Sequence, residues 1–358
     1  MGPETTHAGR TVAVTGAAGY VAGRLIPRLC ESDGIEEVLG IDVEDPGFDH
    51  GCFTFHRADV RNPALESRLK GVDVLVHLAF VMNPIRDEPE MRDVNVDGSQ
   101  NVFRCAGRAG VSKIVYTSSA TVYGAHPDNE VPLTESSPLR ANLDFSYPAH
   151  KLEVEYVVRE VREEFPDVTF TVFRPAIVFG PRVDNAWSHM MELPVLVGAR
   201  GYSPPFQFVH VDDVARALSF AVFNDLDGVF NLAPDGWMTG EGVVRLLGKR
   251  RIELSEPVLF ALWETLWSAG VAETPSGMLH YIMHPWVVSN EKLSAAGFTC
   301  EKSNQQAFFE AMAEARESVR IGKTRVRRSG LVKTAAAAGA GLAGAAATVF
   351  AVRSRRSV

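Results

Sequence analysis

The stretch Thr11 to Leu25, TVAVTGAAGYVAGRL, constrains this chain more than any other part of it. Thr11–Val14 is a short β-branched run bounded by polar residues and a glycine, which predicts a buried strand. Thr15, Gly16, Gly19 and Ala22 follow, small residues where that strand must turn into a helix. Such a turn lets a pyrophosphate approach bare backbone, where free N–H groups and the positive end of the helix dipole hold it. Val21 and Leu25, four apart, give the helix a face for the sheet. A glycine cluster alone serves many strand-to-helix turns, so the next signal decides. Val38–Ile41 is again apolar and ends in Asp42, at the distance a βαβ unit requires. A carboxylate there accepts both hydroxyls of an adenosine ribose and repels a 2′-phosphate, which favours NAD over NADP. The plainer alternative for Asp42 is a solvated loop acid.

Further strands are expected at Phe53–Asp59, Asp73–Ala79, Lys113–Ser119, Val168–Arg174 and Val229–Ala233, with helical spacing over Arg92–Ala109 that turns Asn95 toward the site. Strands alternating with helices predict a parallel, doubly wound sheet with ligand at the carboxyl ends of its strands. Asp59 suits either an adenine amino group or a helix N-cap. His77, alone in an apolar strand, is expected to be core or cofactor packing.

The chemistry should sit just past Ser119. SSATVYG closes the fifth strand, and YPAHK follows with Tyr147 at the mouth of a helix and Lys151 one turn on. A phenol beside an ammonium and an oxidised nicotinamide favours its phenolate. Tyr147 could then take the proton of a substrate alcohol while Ser119 holds the oxygen and hydride passes to the ring.

These segments together resemble an extended short-chain dehydrogenase/reductase of the NAD-dependent epimerase/dehydratase group. The likeness rests on TGAAGYVAGRL (15–25), Asp42, ADV (58–60), HLA (77–79), SSATVYG (118–124), YPAHK (147–151), RPAIVFGP (174–181) and FVHVDDVARA (208–217). It implies Ser119, Tyr147 and Lys151 as the catalytic set. It also implies NAD contacts at Gly16, Ala18, Gly19, Tyr20, Val21, Asp42, Asp59, Val60, Leu78, Ala79, Thr117, Ser118, Tyr147, Lys151, Pro175 and Ile177. Pairing of two copies through the helices around Asn95 and Tyr147 is implied as well. Ala22 departs from the usual third glycine, though a methyl is small enough to pack. A second departure bears on substrate: nucleotide-sugar members often carry an Arg-Asp pair where this chain has Phe206 and Gln207. Losing that guanidinium removes a charge-assisted clamp on a diphosphate, with Arg182 and Arg200 as the candidates to replace it.

The expected fold class is α/β, a Rossmann-type doubly wound parallel sheet with a smaller C-terminal substrate lobe and a C-terminal apolar tail. Residues 10–182 form the NAD-binding half, with 208–233 returning to it. Residues 183–207 and 234–322 form the lobe, and 323–358 a basic linker and Ala/Gly-rich tail. Asp212 or Asp213 is expected to cap the helix after FVHV. Pro257–Trp267 and Met278–Val288 are expected as core helices, with a greasy substrate pocket as the second reading. His280 and His284 have i,i+4 spacing but no acidic ligand in the sequence nearby, so no metal site is expected.

A net charge of −8 leaves no basic stripe for nucleic acid. Cys30, Cys52, Cys105 and Cys300 lack the paired spacing of a zinc site or redox dithiol and are expected as buried thiols in a reducing compartment. MGPETTHAGR has no apolar signal core, which points to the cytoplasm. Thr334–Val352 carries no charge and would span about 28 Å as a helix, close to a bilayer core. Two readings stand for it, a membrane anchor and a low-complexity tail or partner helix. The function expected is NAD-dependent hydride transfer at a secondary alcohol or ketone of an apolar or lipid-linked small molecule. A nucleotide-sugar epimerase or dehydratase is the alternative among enzymes, and a non-catalytic NAD-sensing scaffold the alternative outside them.

Overall fold

A computed structural model describes residues 9–327 apart from 86, 194, 322 and 323. The apolar stretch 334–352 lies outside the described residues. Seven predicted strands form close to their expected places, the first six being β1 (Arg10–Thr15), β2 (Ile35–Asp42), β3 (Phe53–Arg57), β4 (Val74–His77), β5 (Lys113–Thr117) and β6 (Thr169–Pro175). After them come β7 (Ile177–Phe179), β8 (Val195–Ala199), β9 (Phe208–His210), then β10 (Gly228–Leu232), which is the seventh predicted strand, β11 (Arg250–Leu254) and a hairpin of β12 (Ser318–Ile321) and β13 (Thr324–Arg327). The main sheet runs β10-β6-β5-β4-β1-β2-β3, every pair parallel. Chain order reverses between β1 and β4, which opens a crevice at their carboxyl ends.

The helices are α1 (Ala22–Cys30), α2 (Leu65–Arg68), α3 (Glu88–Arg92), α4 (Gly98–Ala109), α5 (Ser146–Glu164), α6 (Ala186–Glu192), α7 (Val211–Phe223), α8 (Gly240–Leu247), α9 (Glu256–Ser268), α10 (Glu291–Ala295) and α11 (Asn304–Glu317). Alternate residues of each central strand face opposite layers, as the two-residue repeat demands. Val12, Val14 and Val76 pack with Leu25 and Leu29 of α1 and Val214 and Leu218 of α7. Ala13, Leu75 and Ile114 pack with Val102 and Phe103 of α4 and Val154 and Val158 of α5. Both faces of the sheet are therefore covered, which explains why its middle strands are apolar throughout.

Outside the sheet, β7 pairs with β9 and β8 with β11, both parallel. Here several expectations need correction. Only Leu259 of α9 is buried, while Val258 is 54% and Leu262 41% exposed. An apolar run without clear periodicity marks a helix but not which face is covered. Met278–Val288 is buried as expected, yet only a 3₁₀ turn over Ser276–Ile282 is helical, and Val288 bridges to Leu133. Cys30 and Cys52 are not separate thiols: they are disulfide-bonded, with Cα atoms 5.6 Å apart. The end of α1 and the start of β3 meet at the sheet margin, a proximity that a 22-residue separation cannot signal. Cys105 and Cys300 remain free. Among the described residues no helix is long and apolar enough to cross a membrane.

Candidate active site

At the crevice the glycine loop and the turn after β4 touch. Gly16 has φ 72°, and a Cβ there would lie 2.6 Å from the Ala79 nitrogen and 2.8 Å from the Leu78 carbonyl carbon. Glycine alone closes that seam. Gly19 N–H donates to the Gly16 carbonyl at 2.9 Å, and Ala18 N–H to Asp42 Oδ2 at 3.0 Å. The second Asp42 oxygen accepts from Glu44 N–H at 3.1 Å, so the carboxylate stands across the loop from the end of β2. Ala18 and Gly19 are exposed, and Val21 occupies the N-cap of α1 with Ala22 packed behind it at 1% exposure. The Tyr20 hydroxyl donates to the Pro181 carbonyl at 3.0 Å and ties the loop to the turn after β7. Bare backbone at a helix mouth, opposed by a carboxylate, fits an adenine dinucleotide.

Asp59 is engaged by its own neighbour: Arg61 donates to it through the backbone, Nε and Nη2, and that bonding lowers its carboxyl pKa. It does not cap α2, which has no side-chain cap. Val60 beside it is buried, its carbonyl accepting from Asn101 at 2.8 Å.

Along the same edge, β5 ends at Thr117, and Ser119 takes an extended conformation as cap of a 3₁₀ turn over Ala120–Tyr123. Ser119 Oγ accepts from Thr121 N–H at 3.2 Å and from Thr121 Oγ1 at 2.9 Å. With both lone pairs taken, its own proton is left to donate. Hydrogen bonding between Ser119 and the Tyr147 phenol favours the ionised form. Tyr147 is half-buried in the first turn of α5, and burial pushes it up to about 12, the Ser119 bond opposing. The direction differs from the lowering expected from Lys151. In the chain alone desolvation wins, and the Lys151 ammonium is 5.9 Å from the Tyr147 ring centre. Lys151, only 4% exposed, donates to the Thr117 carbonyl at 2.7 Å and lies 3.5 Å over the Phe80 ring. Burial holds its pKa well below the usual value, with Glu155 opposing. Pro175 ends β6, and Ile177 N–H donates to the Gln207 carbonyl at 3.1 Å, both residues buried.

Beneath these groups lie Asn95, which the sequence placed toward the site, and an ion-pair network around Glu155 that sequence reasoning passed over. Asn95 sits in a π-turn over Asp93–Asp97, a rare irregularity common at functional sites. Its amide exchanges hydrogen bonds with the Val81 backbone at 2.7 and 3.0 Å. Ser118 Oγ donates to Glu155 Oε1 at 2.6 Å, and Glu155 pairs with Arg174, both nearly fully buried. Arg174 also donates to the Tyr123 hydroxyl at 2.8 Å, which donates to Asn231 at 2.7 Å. Glu155 lies one turn beyond Lys151 on α5, a spacing that could have marked it in the sequence.

His77 is core, as expected: Nδ1 meets Thr15 Oγ1 at 2.7 Å and Nε2 meets Ser99 Oγ at 2.9 Å. Burial, then the Lys151 charge, bring its pKa down to about 3. The unfolded chain therefore binds one more proton below pH 6.5, and stability falls as pH falls, by up to about 1.4 kcal/mol per unit. Urea titrations at pH 7 and 5 should show the wild type losing about 2 kcal/mol more than His77→Gln. Equal losses would remove His77 as the cause.

On the lobe side, Phe206 is buried and Gln207 is fully committed. Gln207 Nε2 donates to the carbonyls of Gly236 (3.0 Å) and Val288 (3.1 Å), and its oxygen accepts from Val288 N–H at 2.9 Å. Arg182 and Arg200 are exposed. His210, not an aspartate, caps α7 by accepting from Asp212 N–H at 3.1 Å. Asp213 is buried and binds the backbone of Glu301 and Lys302, each at 2.9 Å. The sequence hid that role because the partner segment is far along the chain. An acid does stand beside His280, with Asp144 at 2.9 Å. Still, no cluster of three metal-ligating residues occurs among the described ones.

A sheet of this order, with its glycine turn and Ser-Tyr-Lys cluster on one edge, places the chain among the extended short-chain dehydrogenases, NAD-dependent enzymes of Rossmann type. Residues 12–233 match the family model described as NAD dependent epimerase/dehydratase, and the chain belongs to that family, with NAD as its cofactor. An uncharacterized protein of Mycobacterium tuberculosis is 30% identical over 263 residues, 71% of this chain and 69% of that one. The 3beta-hydroxysteroid-dehydrogenase/decarboxylase isoform 2 of Arabidopsis thaliana is 27% identical over 241 residues, 61% of this chain and 42% of that one. In structure, the Thermus thermophilus UDP-glucose 4-epimerase complex with NAD superposes with a TM-score of 0.67 at 22% identity, covering 86% of this chain and 99% of that one.

Proposed function

We propose that this chain transfers hydride between NAD and a secondary alcohol or ketone of an apolar small molecule, with Tyr147 as general acid/base. The observation that carries the reading is the grouping at the rim of the crevice: Ser119, held by Thr121 just past β5, neighbours the Tyr147 phenol, and Lys151 is fixed one turn further along α5. In oxidation Tyr147 removes the alcohol proton and Ser119 holds the substrate oxygen; in reduction the same groups return the proton. Lys151, fixed by the Thr117 carbonyl and the Phe80 ring, supplies positive charge to the phenolate when protonated. The Gly16–Val21 loop and Asp42 would hold the pyrophosphate and ribose of NAD, which would supply the hydride acceptor or donor.

Phe206 and Gln207 argue against a nucleotide diphosphate, since neither carries charge and the Gln207 amide is spent on backbone carbonyls. The test offers NAD with a long-chain secondary alcohol, a sterol and UDP-glucose in parallel. NADH should form from an apolar alcohol and none from UDP-glucose. Epimerisation of UDP-glucose on retained NAD would replace this reading with the nucleotide-sugar one.

A further inference from the structure

A cavity in the lobe opens between α6, β8, α8 and the turn before β9. Its volume is about 70 Å³, and it is open to solvent on one side. Its walls are Met190 and Met191 from α6, Val197 from β8, Val243 and Leu247 from α8, and Phe206. Arg251 is the charged residue among its lining, and its guanidinium is already used: Nη2 donates to the Tyr202 carbonyl at 2.7 Å and Nε lies 3.6 Å from Glu253. Such a surface offers an anion little and a hydrocarbon a great deal.

Two short links join this cavity to the reacting groups. Phe206 precedes Gln207, whose carbonyl accepts from Ile177 N–H, so one cavity wall continues into the strand after Pro175. Ile282, another wall, follows Tyr281, whose hydroxyl donates to the Thr121 carbonyl at 2.9 Å. Tyr281 also meets the Phe145 ring at 6.2 Å, and Phe145 meets Tyr147 at 6.3 Å. Phe206 stands in the position where nucleotide-sugar members often place a diphosphate-binding arginine, and here it gives an apolar wall.

Resting on the function proposed above, we infer that this cavity is a subsite for an aliphatic chain, which seats the body of the substrate while its oxygen reaches Ser119 and Tyr147. Methionines suit that role, since an unbranched thioether adapts to a chain without a fixed shape. Each methylene buried there should raise kcat/KM by roughly fourfold until the cavity is filled.

The experiment uses the full chain with NAD and a series of straight 2-alkanols from 2-butanol to 2-dodecanol. In parallel, binding of 2-dodecanone is followed by saturation-transfer NMR in wild type and Val243→Trp. The expected result is a rise in kcat/KM with chain length. In Val243→Trp the ratio between the longest and shortest alcohol should fall at least tenfold, with a matching loss of 2-dodecanone affinity. Turnover without dependence on chain length, a result that needs no variant, overturns the subsite and leaves the hydride-transfer reading intact. Binding that Val243→Trp abolishes, with no turnover of any alkanol, keeps the subsite and overturns the hydride-transfer reading. A wild type that neither binds 2-dodecanone nor favours longer alcohols overturns the inference outright.

Discussion

Replacing Tyr147 by phenylalanine is expected to lower kcat by about 10²–10⁴-fold and to leave NAD binding intact. The ring and its contacts with Phe80 and Phe145 survive the change, and only the hydroxyl beside Ser119 is lost. The pH profile should change with it. Burial holds the Tyr147 phenol up at about 12 in the chain alone, so the phenolate needed for oxidation is scarce at neutral pH. Oxidation by the wild type should therefore accelerate as pH rises, because each step toward that pKa enlarges the working form. Reduction needs the neutral phenol and should slow only in alkali. Steady-state kinetics across pH in both directions check this, and an alkaline rise that persists in Tyr147→Phe would assign the proton transfer to another group.

The second large effect concerns what lies under the site. Arg174 and Glu155 are 3% and 4% exposed and pair with each other, and Glu155 also accepts from Ser118, the residue before Ser119. Arg174→Met strands a carboxylate away from water and should cost about 3–5 kcal/mol of stability. Changing both partners, as Glu155→Leu with Arg174→Met, should restore most of that loss, because an apolar pair of similar volume leaves no buried charge. Urea unfolding of the two variants decides the matter. A single variant within about 1 kcal/mol of wild type would mean that water reaches Glu155 and that the pair does not brace the site.

The sequence displayed the sheet and the crevice because their demands are local. A strand buried on both faces must read as an apolar run, and a backbone that turns at φ 72° against Ala79 must be glycine. Tyr147 and Lys151 were legible for the same reason, one helical turn apart on α5. What stayed hidden is set by contacts between distant segments. Cys30 finds Cys52, Asp213 holds residues 301 and 302, and Gln207 pins Val288, none of them at a spacing that carries meaning in one dimension. Phe80 was unremarkable in the sequence, yet it is the ring beneath Lys151. The upward direction of the Tyr147 pKa was likewise illegible, since it depends on how much water the folded lobe excludes. For α9 the composition misled: its apolar residues stay largely exposed, and the buried apolar wall belongs to α6, β8 and α8.

The most direct measurement follows one atom. Full-length protein is given NAD and 2-dodecanol deuterated at the carbinol carbon, and the NADH formed is weighed by mass spectrometry, beside the same reaction with Tyr147→Phe. One deuterium in every NADH, formed at least a hundredfold more slowly by the variant, is the predicted result. Unlabelled NADH, or labelled NADH at equal rates from both proteins, would contradict it.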